Sequence, residues 1–240
     1  MAAPVIQKFR PRIVSQTGLK CTASIIFFHG SGDTGRGIEE WLGSLCGGQF
    51  NFPHIRTVFP SAPMRRCSYM GGSPMHMWFD RLAVSPDVGE HDSVHEICHE
   101  ISHLIDAEVQ AGIPKHRILL GGFSNGGCLS LHLGYRFHRD VAGIFNLSSF
   151  LQTESSVYKA LQQDASHLPP LFQCHGKEDP LVDYKWGEST WNRLKELGVK
   201  GEFHGIEGLD HQMSIREIQM LSKWITDRVP EDGGTTAAQL

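Results

Sequence analysis

The chain has no excess of positive charge. Its 240 residues carry 22 Lys and Arg against 26 Asp and Glu, a formal net charge of −4, so nucleic acid is not expected as a partner. The six cysteines, Cys21, Cys46, Cys67, Cys98, Cys128 and Cys174, contain no C-x-x-C pair, which argues against a compact metal knuckle or disulfide framework. No stretch approaches the ~18 apolar residues of a membrane span. The segment 1–12 holds two prolines and three basic residues instead of an apolar export segment. Ala2 excludes myristoylation, and Ala238-Gln239-Leu240 lacks the basic middle residue of a peroxisomal tripeptide. Internal repeats, low-complexity linkers and domain breaks are missing too. The expectation is a cytoplasmic protein with reduced, mostly buried thiols and no stable membrane anchor.

What is present suits one globular domain, with 40% hydrophobic and 20% charged residues. Apolar runs at 24–29, 57–59, 117–121, 143–147, 171–175 and 201–206 read as strands. The segment before Ser24 adds a possible antiparallel strand, with Thr17-Gly18 as its turn. Helical spacing occupies 90–111, 126–137, 184–197 and 214–229. This alternation predicts an α/β fold with a mostly parallel central sheet flanked by helices. The single domain is expected over 1–230, followed by a polar, frayed tail at 231–240.

Chemistry concentrates where strands end. The run 117–121 enters Gly122-Phe123-Ser124-Asn125-Gly126, and a helix pattern follows. G-x-S-x-G between a strand and a helix is the nucleophile turn of α/β-hydrolases. It needs glycines because the turn is strained and crowded. Ser124 is therefore the expected nucleophile, and the backbone N–H of Asn125 an expected oxyanion donor. A serine hydroxyl also needs a base and a group to orient that base. Glu178, Asp179 and Asp183 follow the strand at 171–175. Asp179 is preferred because Pro180 holds it extended. His211 lies on the loop after 201–206 and is the expected base, whereas His175 and His204 fall at or within strands. The glycine-rich loop His29-Gly30-Ser31-Gly32-Asp33-Thr34-Gly35 lacks phosphate-binding spacing, so the Ser31 N–H is expected as the second oxyanion donor.

These segments, with Trp78-Phe79-Asp80, Asp179-Pro180-Leu181-Val182 and Asp210-His211, resemble the acyl-protein thioesterase and lysophospholipase family. Ser148-Ser149-Phe150-Leu151 and Phe172-Gln173-Cys174-His175-Gly176 point to its lysophospholipase-like branch. The resemblance runs from about residue 13 to 229. It implies hydrolysis of acyl thioesters and carboxylic esters, on acylated proteins or small acyl substrates, without cofactor or metal. It carries over Ser124, Asp179 and His211, and implies that Trp78 and Leu181 border the substrate pocket. Asn125 departs from the glutamine usual there, which bears on pocket shape.

Several readings stay open. Trp78 is either a pocket wall or a core residue on a capping loop. His91, His95, His99 and His103 recur every fourth residue but lie off the apolar side of their helix, so a solvated face is expected instead of a metal site. Short acyl chains are expected to be favoured on simple esters. The competing functions are a lipase, lysophospholipase or peptidase, and a hydrolase-like binding module with a misaligned triad.

Overall fold

The computed structural model describes residues 9–231. In chain order the strands are β1 (Arg12–Val14), β2 (Ala23–Phe28), β3 (Ile55–Phe59), β4 (Met64–Cys67), β5 (Ser73–His76), β6 (Ile118–Phe123), β7 (Gly143–Leu147), β8 (Leu171–Gly176) and β9 (Gly201–Ile206). The helices are α1 (Gly35–Cys46), α2 (Ser93–Gln110), α3 (Asn125–His132), α4 (Ser156–Gln163), α5 (Tyr184–Glu196) and α6 (Ile215–Arg228).

Seven strands form one sheet in the order β1-β3-β2-β6-β7-β8-β9. Every neighbouring pair is parallel except β1 with β3. Parallel strands need crossover helices, which cover both faces, so the central strands are apolar at successive positions. β2, β6 and β7 are buried throughout. Side chains alternate across the sheet. Ile25, Phe27, Leu119 and Phe145 pack with Ile38 and Leu42 of α1 and Ile218, Leu221 and Ile225 of α6. Ile26, Phe28, Leu120 and Ile144 face the other way, toward Ile97 and Ile101 of α2 and Leu129 of α3. The result is a single domain of three layers, helix–sheet–helix.

Some details differ from the sequence reading. The strand before Ser24 exists, but it pairs with β3 at the sheet edge, Arg12 opposite Phe59. Thr17 and Gly18 do not turn it back onto β2; their amides donate to the carbonyls of Phe52 and Pro53. α1 and α4 are additional helices, and β4 and β5 form a separate hairpin. α2 begins at Ser93, because Glu90 instead accepts from the hydroxyls of Ser155 and Ser156. His91, His95, His99 and His103 are exposed. The tail at 231–240 lies, apart from Glu231, outside the described residues. Among the described residues no helix is long and apolar enough to cross a membrane.

β2 runs to β3 on one side, and the chain returns as β6 on the other. That reversal opens a crevice beyond the carboxyl ends of β2 and β6, where α/β sheets bind ligands.

Candidate active site

Ser124 stands between β6 and α3 with φ 54° and ψ −118°, a strained backbone for a residue with a Cβ. Its N–H donates to the Leu147 carbonyl at 2.9 Å, and its carbonyl accepts from Cys128 at 3.1 Å. The flanking glycines are required by crowding. A Cβ on Gly122 would sit 2.3 Å from the Phe28 oxygen, and one on Gly126 2.2 Å from the same atom. Close approach of β2 thus forces the turn that lifts Ser124 clear of the sheet.

Asp179 follows β8 and His211 follows β9. Their two loops are tied together, since Glu178 N–H donates to the Leu209 carbonyl at 3.1 Å. His211 Nδ1 lies 2.7 Å from Asp179 Oδ2, and its Nε2 lies 3.1 Å from Ser124 Oγ. The His211 ring packs on Phe123, with centroids 4.8 Å apart. The other Asp179 oxygen accepts from the amides of Leu181 and Val182. Burial disfavours its ionised form, but hydrogen bonds from His175, His211 and Val182 outweigh burial and hold the carboxyl well below the usual range. An ionised Asp179 accepts from Nδ1–H, which leaves Nε2 free to accept the Ser124 proton.

The rejected acids have other work. Asp183 caps α5 by accepting from the Lys185 amide, and Glu178 is exposed. His175 is buried behind Asp179, with Nε2 2.8 Å from the Val182 carbonyl and 3.4 Å from Asp179 Oδ2. It supports the acid and does not face Ser124.

Ser31 and Asn125 both line the cavity around Ser124. Asn125 opens α3, so its N–H belongs to the turn of amides that a helix cannot satisfy internally. The Ser31 loop is fixed from below by His29. Burial pushes this histidine down to about 4, the Gly30 bond opposing, so it stays neutral. Its Nδ1 lies 2.7 Å from the Gly30 carbonyl, and its Nε2 accepts from the Ala62 amide at 2.9 Å. On the far side, Gly32 N–H donates to the His76 carbonyl of the β4–β5 hairpin at 2.7 Å.

Trp78 is the one sequence-expected pocket residue that the cavity excludes. It is fully buried, stacks edge-on against Phe28, and donates from Nε1 to the His29 carbonyl. Core burial wins because that donor finds its acceptor inside. Leu181 does border the cavity and is half exposed. Asn125 gains a role that the motif did not reveal. Its Oδ1 accepts from the Trp78 amide at 2.9 Å and its Nδ2 donates to the Phe79 carbonyl at 3.4 Å.

The cavity is about 160 Å³, and sequence reasoning assigned no role to most of its lining. Tyr69, Arg81, Phe123, Ser148 and Phe150 belong to it. Phe123, Ser148 and Phe150 stand inside motifs that gave them no role, and Tyr69 and Arg81 stand in none, although Arg81 directly follows Trp78-Phe79-Asp80. A strained serine, an imidazole and a buried carboxylate in hydrogen-bonded sequence, beside two amides, form a group suited to nucleophilic acyl transfer.

Comparison with known proteins gives the family and the fold. The profile of the family described as phospholipase/carboxylesterase matches residues 10–228. Lysophospholipase-like protein 1 of Mus musculus is 46% identical over 232 residues, covering 96% of this chain and 97% of that protein. Acyl-protein thioesterase 1 of Neurospora crassa is 30% identical, covering 92% of this chain and 93% of its own length. Among solved structures, Zea mays acyl-protein thioesterase 2 superposes with a TM-score of 0.76 at 27% identity, covering 92% of this chain and 99% of that one.

Proposed function

Since the chain belongs to the phospholipase/carboxylesterase family and has its α/β-hydrolase fold, we propose that it is a serine hydrolase that cleaves acyl thioesters and esters through an acyl-enzyme on Ser124. The observation that carries this reading is the hydrogen-bonded series from Asp179 through His211 to Ser124. Its close alignment disfavours a binding module with a misaligned triad.

His211 takes the Ser124 proton as Oγ attacks the acyl carbonyl. The oxyanion rests on the amides of Ser31 and Asn125. His211 then protonates the departing thiol or alcohol, and water activated by the same ring releases the acid. No cofactor or metal takes part. The substrates are acylated proteins, palmitoylated cysteine included, and small acyl esters or thioesters. Short chains are favoured on simple esters, because Tyr69, Arg81, Ser148 and Ser149 set polar groups into an otherwise mostly apolar cavity wall, where a long alkyl chain would cover them. Six unpaired cysteines support a cytoplasmic setting.

The test is parallel hydrolysis of a butyryl thioester and a butyryl oxoester. Ser124→Ala and His211→Ala should each lower kcat on both by about 10³-fold or more, and the double variant should fare no worse than either single one. Substantial turnover by Ser124→Ala would overturn the nucleophile assignment.

A further inference from the structure

Arg81 is the only Lys or Arg side chain among those lining the cavity around Ser124, and it is 7% exposed. Its guanidinium lies over two rings, 4.6 Å from the Phe150 centroid and 5.1 Å from that of Phe79. Among the described residues no carboxylate forms an ion pair with it. Asp80, its neighbour in sequence, is committed to Ser68 and to the Arg81 backbone amide. Glu90 is committed to Ser155, Ser156 and His132. Arg81 Nε is buried without a hydrogen-bond partner, as are the hydroxyls of Ser148 and Ser149 on the same cavity.

A guanidinium taken out of water needs compensation. Ring faces return part of it, and a buried charge is ordinarily paired. Arginine's planar fork matches a carboxylate in two parallel hydrogen bonds. The Arg81 side chain also meets the buried Cys128 thiol, a neutral group. Lining the cavity beside the nucleophile, with no acid of the protein's own, Arg81 lacks the anionic partner that a bound substrate would bring.

We propose that Arg81 is a specificity-determining residue that binds a carboxylate carried by the substrate, so that the favoured esters or thioesters are anionic. This rests on the serine hydrolase reading. The reaction is unchanged: the acyl C–S or C–O bond breaks, water supplies the hydroxyl to the acyl carbon and the proton to the leaving thiol or alcohol, and the remote carboxylate is held without reacting. The carboxylate belongs either to the far end of a short acyl chain or to the leaving group.

Two matched pairs distinguish these sources. The first compares a pentanoyl thioester with the glutaryl thioester of the same neutral thiol, in which a carboxylate replaces the terminal methyl. The second compares butyryl thioesters of mercaptoethanol and of mercaptopropionate. In the wild-type enzyme the charged member of one pair should have a kcat/KM higher by about tenfold or more, the scale set by a buried arginine–carboxylate contact. Arg81→Gln should lower that charged-to-neutral ratio by about the same factor, and Arg81→Lys should retain part of it. A purely structural role would change melting temperature and both substrates alike, leaving the ratio fixed. Preference for the neutral member in both pairs by the wild-type enzyme would overturn the proposal even if Arg81→Gln failed to fold. Failure to cleave any of the four thioesters would instead overturn the hydrolase reading.

Discussion

Asn125 performs two tasks that substitution separates. Its backbone N–H is the proposed oxyanion donor, while its side chain holds the Trp78-Phe79 backbone by one accepted and one donated bond. Truncation to alanine leaves two buried backbone groups unpaired, at about 1–3 kcal/mol each. Asn125→Ala should therefore lower the melting temperature clearly while kcat stays within about tenfold, because the proposed oxyanion donor, a backbone N–H, survives. A hundredfold loss of kcat with an unchanged melting temperature would show that the side chain does the chemistry. The three residues of the proposed triad were legible because each follows a strand inside a recognisable turn. The side-chain role of Asn125 was not, because its partners lie more than forty residues earlier, on an irregular segment. Trp78 was ambiguous for the same reason: a motif records that a tryptophan is present, not which way its ring is turned.

Elements differ in how plainly their sequences announce them. β2 and β6 are uninterrupted apolar runs, and α2 and α6 repeat apolar residues at helical spacing, so periodicity found them. α1 contains Gly35, Gly37 and Gly43, which weaken helix propensity, and it is held by its Thr34 cap and by packing of Ile38 and Leu42. α4 is only eight residues long. The β4–β5 hairpin is polar and carries Pro74, so alternation could not mark it. α6 also holds a titratable group. Ser214 and Glu217 cap it reciprocally, and Glu217 is fully buried. Burial pushes this acid up to about 8, with the Ser214 bond opposing. Its folded pKa thus exceeds its unfolded one, so its contribution to stability is complete below the unfolded value and is lost as pH rises through the folded value. Glu217→Gln keeps an acceptor for the Ser214 amide but removes the titration. The variant should gain in melting temperature relative to wild type between about pH 5 and about pH 9. A gap that does not vary with pH would show that Glu217 does not titrate in that window.

At the scale of the whole molecule, the sheet brings together side chains from four strand ends: the Ser31 loop after β2, Ser124 after β6, Asp179 after β8 and His211 after β9. A mostly parallel sheet was implied by the alternation of runs, but its strand order was not, and the crevice follows from the reversal of that order beside β2. The cavity wall was not legible, since it gathers Tyr69, Arg81, Ser148 and Phe150 from segments that only the finished fold makes neighbours. In the proposed function that wall governs chain length. A long alkyl chain would cover Arg81, Tyr69 and the two serines without pairing them, so kcat/KM on simple neutral esters should fall from butyryl to palmitoyl. A steady rise to palmitoyl would contradict this account of the cavity. The central claim, that Ser124 is an activated nucleophile, is tested most directly by treating the folded protein with a fluorophosphonate and mapping the adduct by peptide mass spectrometry. The account predicts a single phosphonyl group on Ser124, absent from Ser124→Ala and much slower to form in His211→Ala. An unlabelled wild-type protein, or an adduct on another serine that accompanies loss of activity, would contradict it.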